Sequence, residues 1–251
     1  MKYSLLLLTF VVFSSFSFSS AASAIKTGGD TTTNKQGANA FSQPATNLPM
    51  SERIDFSVGN SFFRNPWVSS PASTDARDGL GPLFNTNGCQ NCHIKDGRGH
   101  LPQKGDQNAV SLLIRLSIPA ITHAQKKQLI MTGNISEPIY GGQLQDFALS
   151  GEKPEGRIVV DYEYHTETFK DGHAVTLRKP IISIQDLNYG EMDPDTEMSA
   201  RIAPPMIGLG LLESIPDSTL LAIAVAQEDA GKGVSGRPNY VWDVEKAKTV
   251  I

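Results

Sequence analysis

The sequence predicts an α+β fold, with short helices gathered around a Cys-x-x-Cys-His motif and an antiparallel β-hairpin inserted beyond it. Three observations carry this expectation. Capping residues precede apolar segments near residues 51 and 217, as at helix starts. Apolar and polar residues alternate from Arg157 to Tyr164, the period of a half-buried strand. Asp171-Gly172 then separates this run from His173-Ala-Val-Thr-Leu-Arg, as in a hairpin turn.

Taken in order, the chain opens with Lys2, an apolar run from Leu5 to Phe13 and the small-x-small sequence Ala22-Ser23-Ala24. Residues 1–24 therefore read as an export signal peptide, too short and too rich in serine for a membrane span. No later segment is apolar enough to cross a bilayer. Residues 25–48 are rich in Thr, Gly, Asn, Ala and Gln without apolar periodicity, the composition of a flexible linker. Residues 49–251 are long enough for one domain with its own core. Ser51 is the candidate cap of a first helix through Ile54, Phe56 and Val58. The aromatic-dense stretch from Ser61 to Trp67 is expected to pack near the core or the motif. Pro82, Leu83 and Phe84 suggest a helix over residues 82–92 that delivers both thiols.

Beyond the motif, Gly97 and Gly99 permit tight backbone around Arg98. Ser111 to Pro119 reads as a strand, and His123 sits with Gln125, Lys126 and Lys127 on an exposed helix. Pro180 is expected to end the hairpin and begin another extended piece, Ile181 to Leu187. Asp217 or Ser218 caps a last helix through Leu220, Leu221, Ile223 and Val225.

Cys89 and Cys92 are the only cysteines in 251 residues, and His93 follows at once. This is the attachment signature of a c-type haem, in which each thiol adds across a vinyl group and the histidine binds the iron. A zinc site needs more Cys or His ligands than one pair supplies. A redox dithiol belongs at the start of a helix after a buried strand, which residues 79–84 do not resemble. One covalently bound haem c per chain is the expectation, with Cys89 and Cys92 as thioether donors and His93 as axial ligand.

The ligand on the other iron face sets the chemistry. Candidates are His100, His123, His165 and His173, with Met131, Met192, Met198 and Met206 as thioethers. Met206 stands out because it lies in the Pro- and Gly-punctuated Ala203-Pro-Pro-Met-Ile-Gly-Leu-Gly. Spacing alone leaves it open between a distal ligand and an ordinary core methionine. Arg98 is equally open between a propionate partner and a solvated turn residue. Trp67, Tyr162, Tyr164 and Trp242 are candidate relay aromatics, with core packing as their default.

A resemblance then covers residues 50–251. Gly79-Leu-Gly-Pro-Leu-Phe-Asn, Cys89-Gln-Asn-Cys-His and Asp96-Gly-Arg-Gly resemble the di-haem oxidoreductases, a family distantly related to bacterial di-haem cytochrome c peroxidases. Tyr140-Gly-Gly-Gln-Leu-Gln-Asp, Pro154-Glu-Gly-Arg, the Met206 stretch and Ser235-Gly-Arg-Pro-Asn-Tyr-Val-Trp-Asp extend it. The resemblance implies a periplasmic haem protein with a cytochrome c-like helical core. It also raises Met206 as distal ligand. Two departures stand out. Family members carry a second Cys-x-x-Cys-His in a C-terminal domain, so this chain resembles the N-terminal part of such a protein. The Asp-rich, calcium-like loop of the family is here Gln227-Glu-Asp-Ala-Gly-Lys-Gly, too poor in oxygen ligands for a metal assignment.

The formal charge of −4 argues against a nucleic-acid partner. The expected partners are a redox protein or a small electron donor or acceptor, peroxide among them. Three functions follow: the N-terminal haem part of a di-haem peroxidase-like oxidoreductase, a stand-alone single-haem electron carrier, or a non-redox domain with an incidental motif.

Overall fold

The computed structural model describes residues 26–103 and 110–251. The expected signal peptide lies outside the described residues. Five α-helices run over Met50–Arg64 (α1), Cys89–Cys92 (α2), His123–Thr132 (α3), Leu209–Glu213 (α4) and Asp217–Asp229 (α5). Eight strands run over Leu83–Phe84 (β1), Leu112–Ser117 (β2), Phe147–Ala148 (β3), Arg157–Thr168 (β4), Ala174–Gln185 (β5), Glu197–Ile202 (β6), Val241–Asp243 (β7) and Lys248–Val250 (β8). They form four separate antiparallel pairs, β1–β3, β2–β6, β4–β5 and β7–β8. The α+β class holds.

The expected helical core is not what the structure shows. None of the five α-helices contributes a buried residue. The buried cluster is instead Leu112, Ile114 and Leu116 of β2 with Tyr140, Leu144 and Ile158. Length accounts for α2, a single turn, and α4, five residues, which are too short to lay an apolar face on a neighbour. Ile54 and Val58 of α1 and Ile223 and Val225 of α5 remain exposed. Among the described residues no helix is long and apolar enough to cross a membrane.

The hairpin forms as expected and is longer than the alternation suggests. β4 and β5 pair from Arg157↔Gln185 to Thr168↔Ala174. Gly172, at φ +85°, makes the turn that its missing Cβ permits. Pro180 does not end the strand; it pairs with Tyr162 inside β5. A two-stranded ribbon has two free edges, so a residue without an N–H can face outward at no cost to the ladder.

Two helix starts differ by a residue or two from expectation. Pro49 and Pro216 occupy the N-cap positions of α1 and α5, in place of Ser51 and of Asp217 or Ser218. Proline's fixed φ suits this entry, and Glu52 and Asp217 sit in the first turns, where the helix dipole favours them. Thr122 caps α3 with a reciprocal Gln125 bond, and Gly133 closes it in the left-handed conformation.

The helix expected over residues 82–92 is the largest local difference. Leu83–Phe84 is a strand paired with Phe147–Ala148. The Phe84 and Phe147 rings stack at 6.1 Å, and Leu149 N–H donates to the Pro82 carbonyl at 2.9 Å. These partners lie some sixty residues away in sequence. Their packing overrides the local helix signal, and extended Gly88 (φ −166°) confines the helix to Cys89–Cys92.

Candidate functional site

The helical turn α2 holds Cys89 and Cys92 on neighbouring positions of one face, with His93 directly beyond. Cys89 is exposed and Cys92 half-buried. Gly88 is buried against Pro66, with 3.5 Å from an added Cβ to the Pro66 Cα, so the aromatic stretch meets the motif as expected. The Phe63 ring stands 6.1 Å from the His93 ring, tilted by 47°.

After His93 the chain turns through Lys95 (φ +53°) and Asp96 (φ +63°), two left-handed residues. Gly99 N–H donates to the Ala203 carbonyl at 2.9 Å, and Met206 N–H to the Asp96 carbonyl at 2.9 Å. Ala203 N–H donates to Ser111 O at 3.1 Å, while the Ser111 hydroxyl donates to Cys92 O at 3.2 Å. The β2–β6 pair therefore brings residues 203–206 against the motif. A Cβ on Gly99 would lie 2.4 Å from the Ser111 Cβ, so only glycine allows this approach.

The consequence is one specific hydrogen bond. His93 Nδ1 lies 2.7 Å from the Pro204 carbonyl oxygen. A carbonyl only accepts, so Nδ1 carries the proton and Nε2 is left with its lone pair. That tautomer and a fixed ring are what an iron-ligating imidazole needs.

Cys92 Sγ donates to the Val110 carbonyl at 2.7 Å. Burial pushes the Cys92 thiol above its ordinary range, and the charges of Asp146 and Cys89 push it the same way.

Beside α2 lies a cavity of about 590 Å³, lined by Phe84, Asn85, Gln90, Ile94, Val110 and Phe147 among others. In its wall Asn85 Nδ2 donates to Asp146 Oδ1 at 2.9 Å and to Leu144 O. Gln143 Nε2 donates to Asn85 Oδ1, and Arg115 Nη1 donates to Gln143 Oε1 at 3.2 Å. Burial raises the Asp146 carboxyl to about 6, against the lowering effect of the Asn85 bond. These residues fall in the Tyr140–Asp146 stretch and after Phe84; no periodicity singles them out.

The distal-ligand candidates are dispersed. His100 and His123 are exposed, His165 pairs with Glu167 at 2.8 Å, and His173 stacks on Phe169. Met131 and Met198 are exposed, and Met192 packs against the core. Met206 is half-buried and lines a cavity with Phe41, Phe56, Asp96 and Leu211. It lies two residues from Pro204, whose carbonyl meets the imidazole at the end opposite Nε2. Its loop thus stands behind the ring. Arg98 is exposed. Tyr162 is buried, its hydroxyl donating to Pro102 O at 2.5 Å, in line with core packing.

Comparison with known proteins bears on this geometry. The profile of the family described as "di-haem oxidoreductase, putative peroxidase" matches residues 21–250. The chain belongs to the di-haem oxidoreductase family. No curated protein and no solved structure matches it. The family description names two haems, and this sequence carries one Cys-x-x-Cys-His motif. The residues present fit a haem: two thiols spaced by one helical turn, and an imidazole whose Nδ1 is engaged so that Nε2 is available.

Proposed function

We propose that this di-haem oxidoreductase family member binds one haem c through thioether bonds from Cys89 and Cys92, with His93 Nε2 as axial ligand. The reading further holds that the chain works outside the cytoplasm, in the periplasm, as part of a peroxidase-like redox system. The observation that carries it is the 2.7 Å bond between His93 Nδ1 and Pro204 O, set beside two thiols one turn apart.

When bound, haem iron supplies one-electron redox chemistry and an axial position for a small ligand. The chain's own residues fix and tune it. Each thiol S–H adds across one vinyl C=C, forming a C–S bond and a C–H bond without net oxidation. The Pro204 carbonyl holds the imidazole in one tautomer and makes Nε2 a stronger donor. Gly99 allows the 203–206 segment to close on the motif, and Phe63 flanks the His93 ring.

The place of Met206 bears on the choice between the two redox roles. A His/Met electron carrier needs a thioether sulfur across the porphyrin from the imidazole. Met206 belongs to the loop on the Nδ1 side, which favours an iron position open to peroxide or another small ligand.

Optical and EPR spectra of holoprotein made with a cytochrome c maturation system test the choice. The peroxidase-like reading expects a spectrum that shifts on adding cyanide or peroxide. A low-spin spectrum indifferent to both ligands would establish the carrier instead.

A further inference from the structure

Asp146 is a half-buried carboxyl that attachment of a haem does not use. Its oxygen Oδ1 accepts from Asn85 at 2.9 Å, the Asn85 oxygen accepts from Gln143, and the Gln143 oxygen accepts from Arg115 at 3.2 Å. Three donors therefore point the same way, from a guanidinium through two amides to one carboxyl group. Such a head-to-tail row polarises each bond and orients each amide. Asn85 and the neighbouring Phe147 line the cavity beside α2, whose other walls include Thr86, Asn87, Gln90 and Asn91. Asn85, which donates to Asp146, and Phe147, its chain neighbour, place the carboxyl just behind this wall, on the side of the attachment motif. The Asp146 charge is felt at the Cys92 sulfur.

We propose that Asp146 takes up one proton when the haem held by Cys89, Cys92 and His93 accepts one electron. This rests on the haem reading above. The electron comes from a one-electron donor and reduces ferric to ferrous iron. The proton comes from water in the cavity and converts the Asp146 carboxylate to the neutral acid, so the site's total charge is unchanged. Were the added charge about 10 Å from the carboxyl, at an effective dielectric constant of about 20, it would change the proton affinity by roughly tenfold. The partial burial of Asp146 limits the screening of that coupling.

Other charged groups face the carboxyl. Cys89 and Cys92 become neutral thioethers on attachment, Arg115 acts through Gln143, and Glu155 accepts from the Gln145 amide at 2.6 Å. Haem propionates also titrate. The comparison of variants separates these from Asp146.

Pyridine-haemochrome analysis of the holoprotein comes first, followed by spectroelectrochemical titration between about pH 4 and pH 8. Wild-type potential should fall as pH rises, by about 59 mV in total for a tenfold change in proton affinity. Asp146→Asn should abolish that fall. Asn85→Ala, which removes the donor favouring the carboxylate, should move it to higher pH. A pH-independent wild-type potential, or a fall retained in full by Asp146→Asn, would overturn the proposal while leaving haem attachment intact. Absence of covalent haem would overturn both.

Discussion

Replacing Gly99 with alanine probes the closest approach in the site. The added Cβ would lie 2.4 Å from the Ser111 Cβ, 2.7 Å from its hydroxyl oxygen and 3.0 Å from the Cys92 carbonyl. Carbon atoms in good contact sit about 3.5–4.0 Å apart, so more than an ångström of overlap must be relieved. Ser111 is 7% exposed and opens the buried strand β2, so it has little room to retreat. Overpacking costs about 1–3 kcal/mol. Separation also weakens the Gly99–Ala203 and Ser111–Cys92 hydrogen bonds, each worth about 1 kcal/mol. The expected loss is about 3–5 kcal/mol, together with movement of Pro204 away from His93. Urea unfolding of the holoprotein measures the first effect, and the haem-to-protein ratio after maturation the second. A Gly99→Ala protein within about 1 kcal/mol of wild type, with full haem content, would refute the packing described here.

Two further predictions concern carboxyls. Glu137 is 2% exposed, and its carboxylate accepts from the amides of Ile139, Tyr140 and Asp193. Burial pushes its pKa up, but bonds from Tyr140, Asp193 and Ile139 outweigh this and hold it below its ordinary value. Its stabilising effect is thus present above the unfolded pKa of about 4.3 and lost as pH falls through the folded value. Glu137→Ala should cost about 3 kcal/mol or more at neutral pH, from three stranded donors; equal denaturation midpoints would contradict it. Asp146 runs the other way. Its folded pKa of about 6 lies above the ordinary aspartate value of 3.8, so the fold loses stability as pH rises from the lower value through the higher. About two pKa units correspond to nearly 3 kcal/mol at most. Asp146→Asn should therefore be more stable than wild type near pH 8 by about 1–3 kcal/mol and lose that advantage near pH 4. A pH-independent difference in urea midpoints would sink this reading.

Sequence reading succeeded where the signal is local. The β4–β5 hairpin follows from period-two alternation and Asp171-Gly172, and the two cysteines of the motif share one helical turn. It failed where distant residues decide. Leu83 and Phe84 look helical beside Pro82, yet Phe147 across the β1–β3 pair makes them a strand. The family resemblance implied a cytochrome c-like helical core, but the buried cluster gathers around β2. The Pro204 carbonyl was also out of reach, since a backbone acceptor leaves no mark on residue type. The double proline after β6 was its one trace: a proline at 205 has no N–H to continue a ladder, which leaves the chain to turn toward His93. Asn85, Gln143 and Asp146 stand too far apart in sequence for any motif to join them.

The most direct measurement is mass spectrometry of the peptide spanning Cys89 to His93, from protein exported and matured with a cytochrome c assembly system. The haem account predicts one iron porphyrin added to that peptide through both sulfurs, and none on a Cys89→Ala/Cys92→Ala variant. An unmodified wild-type peptide under those conditions would contradict it.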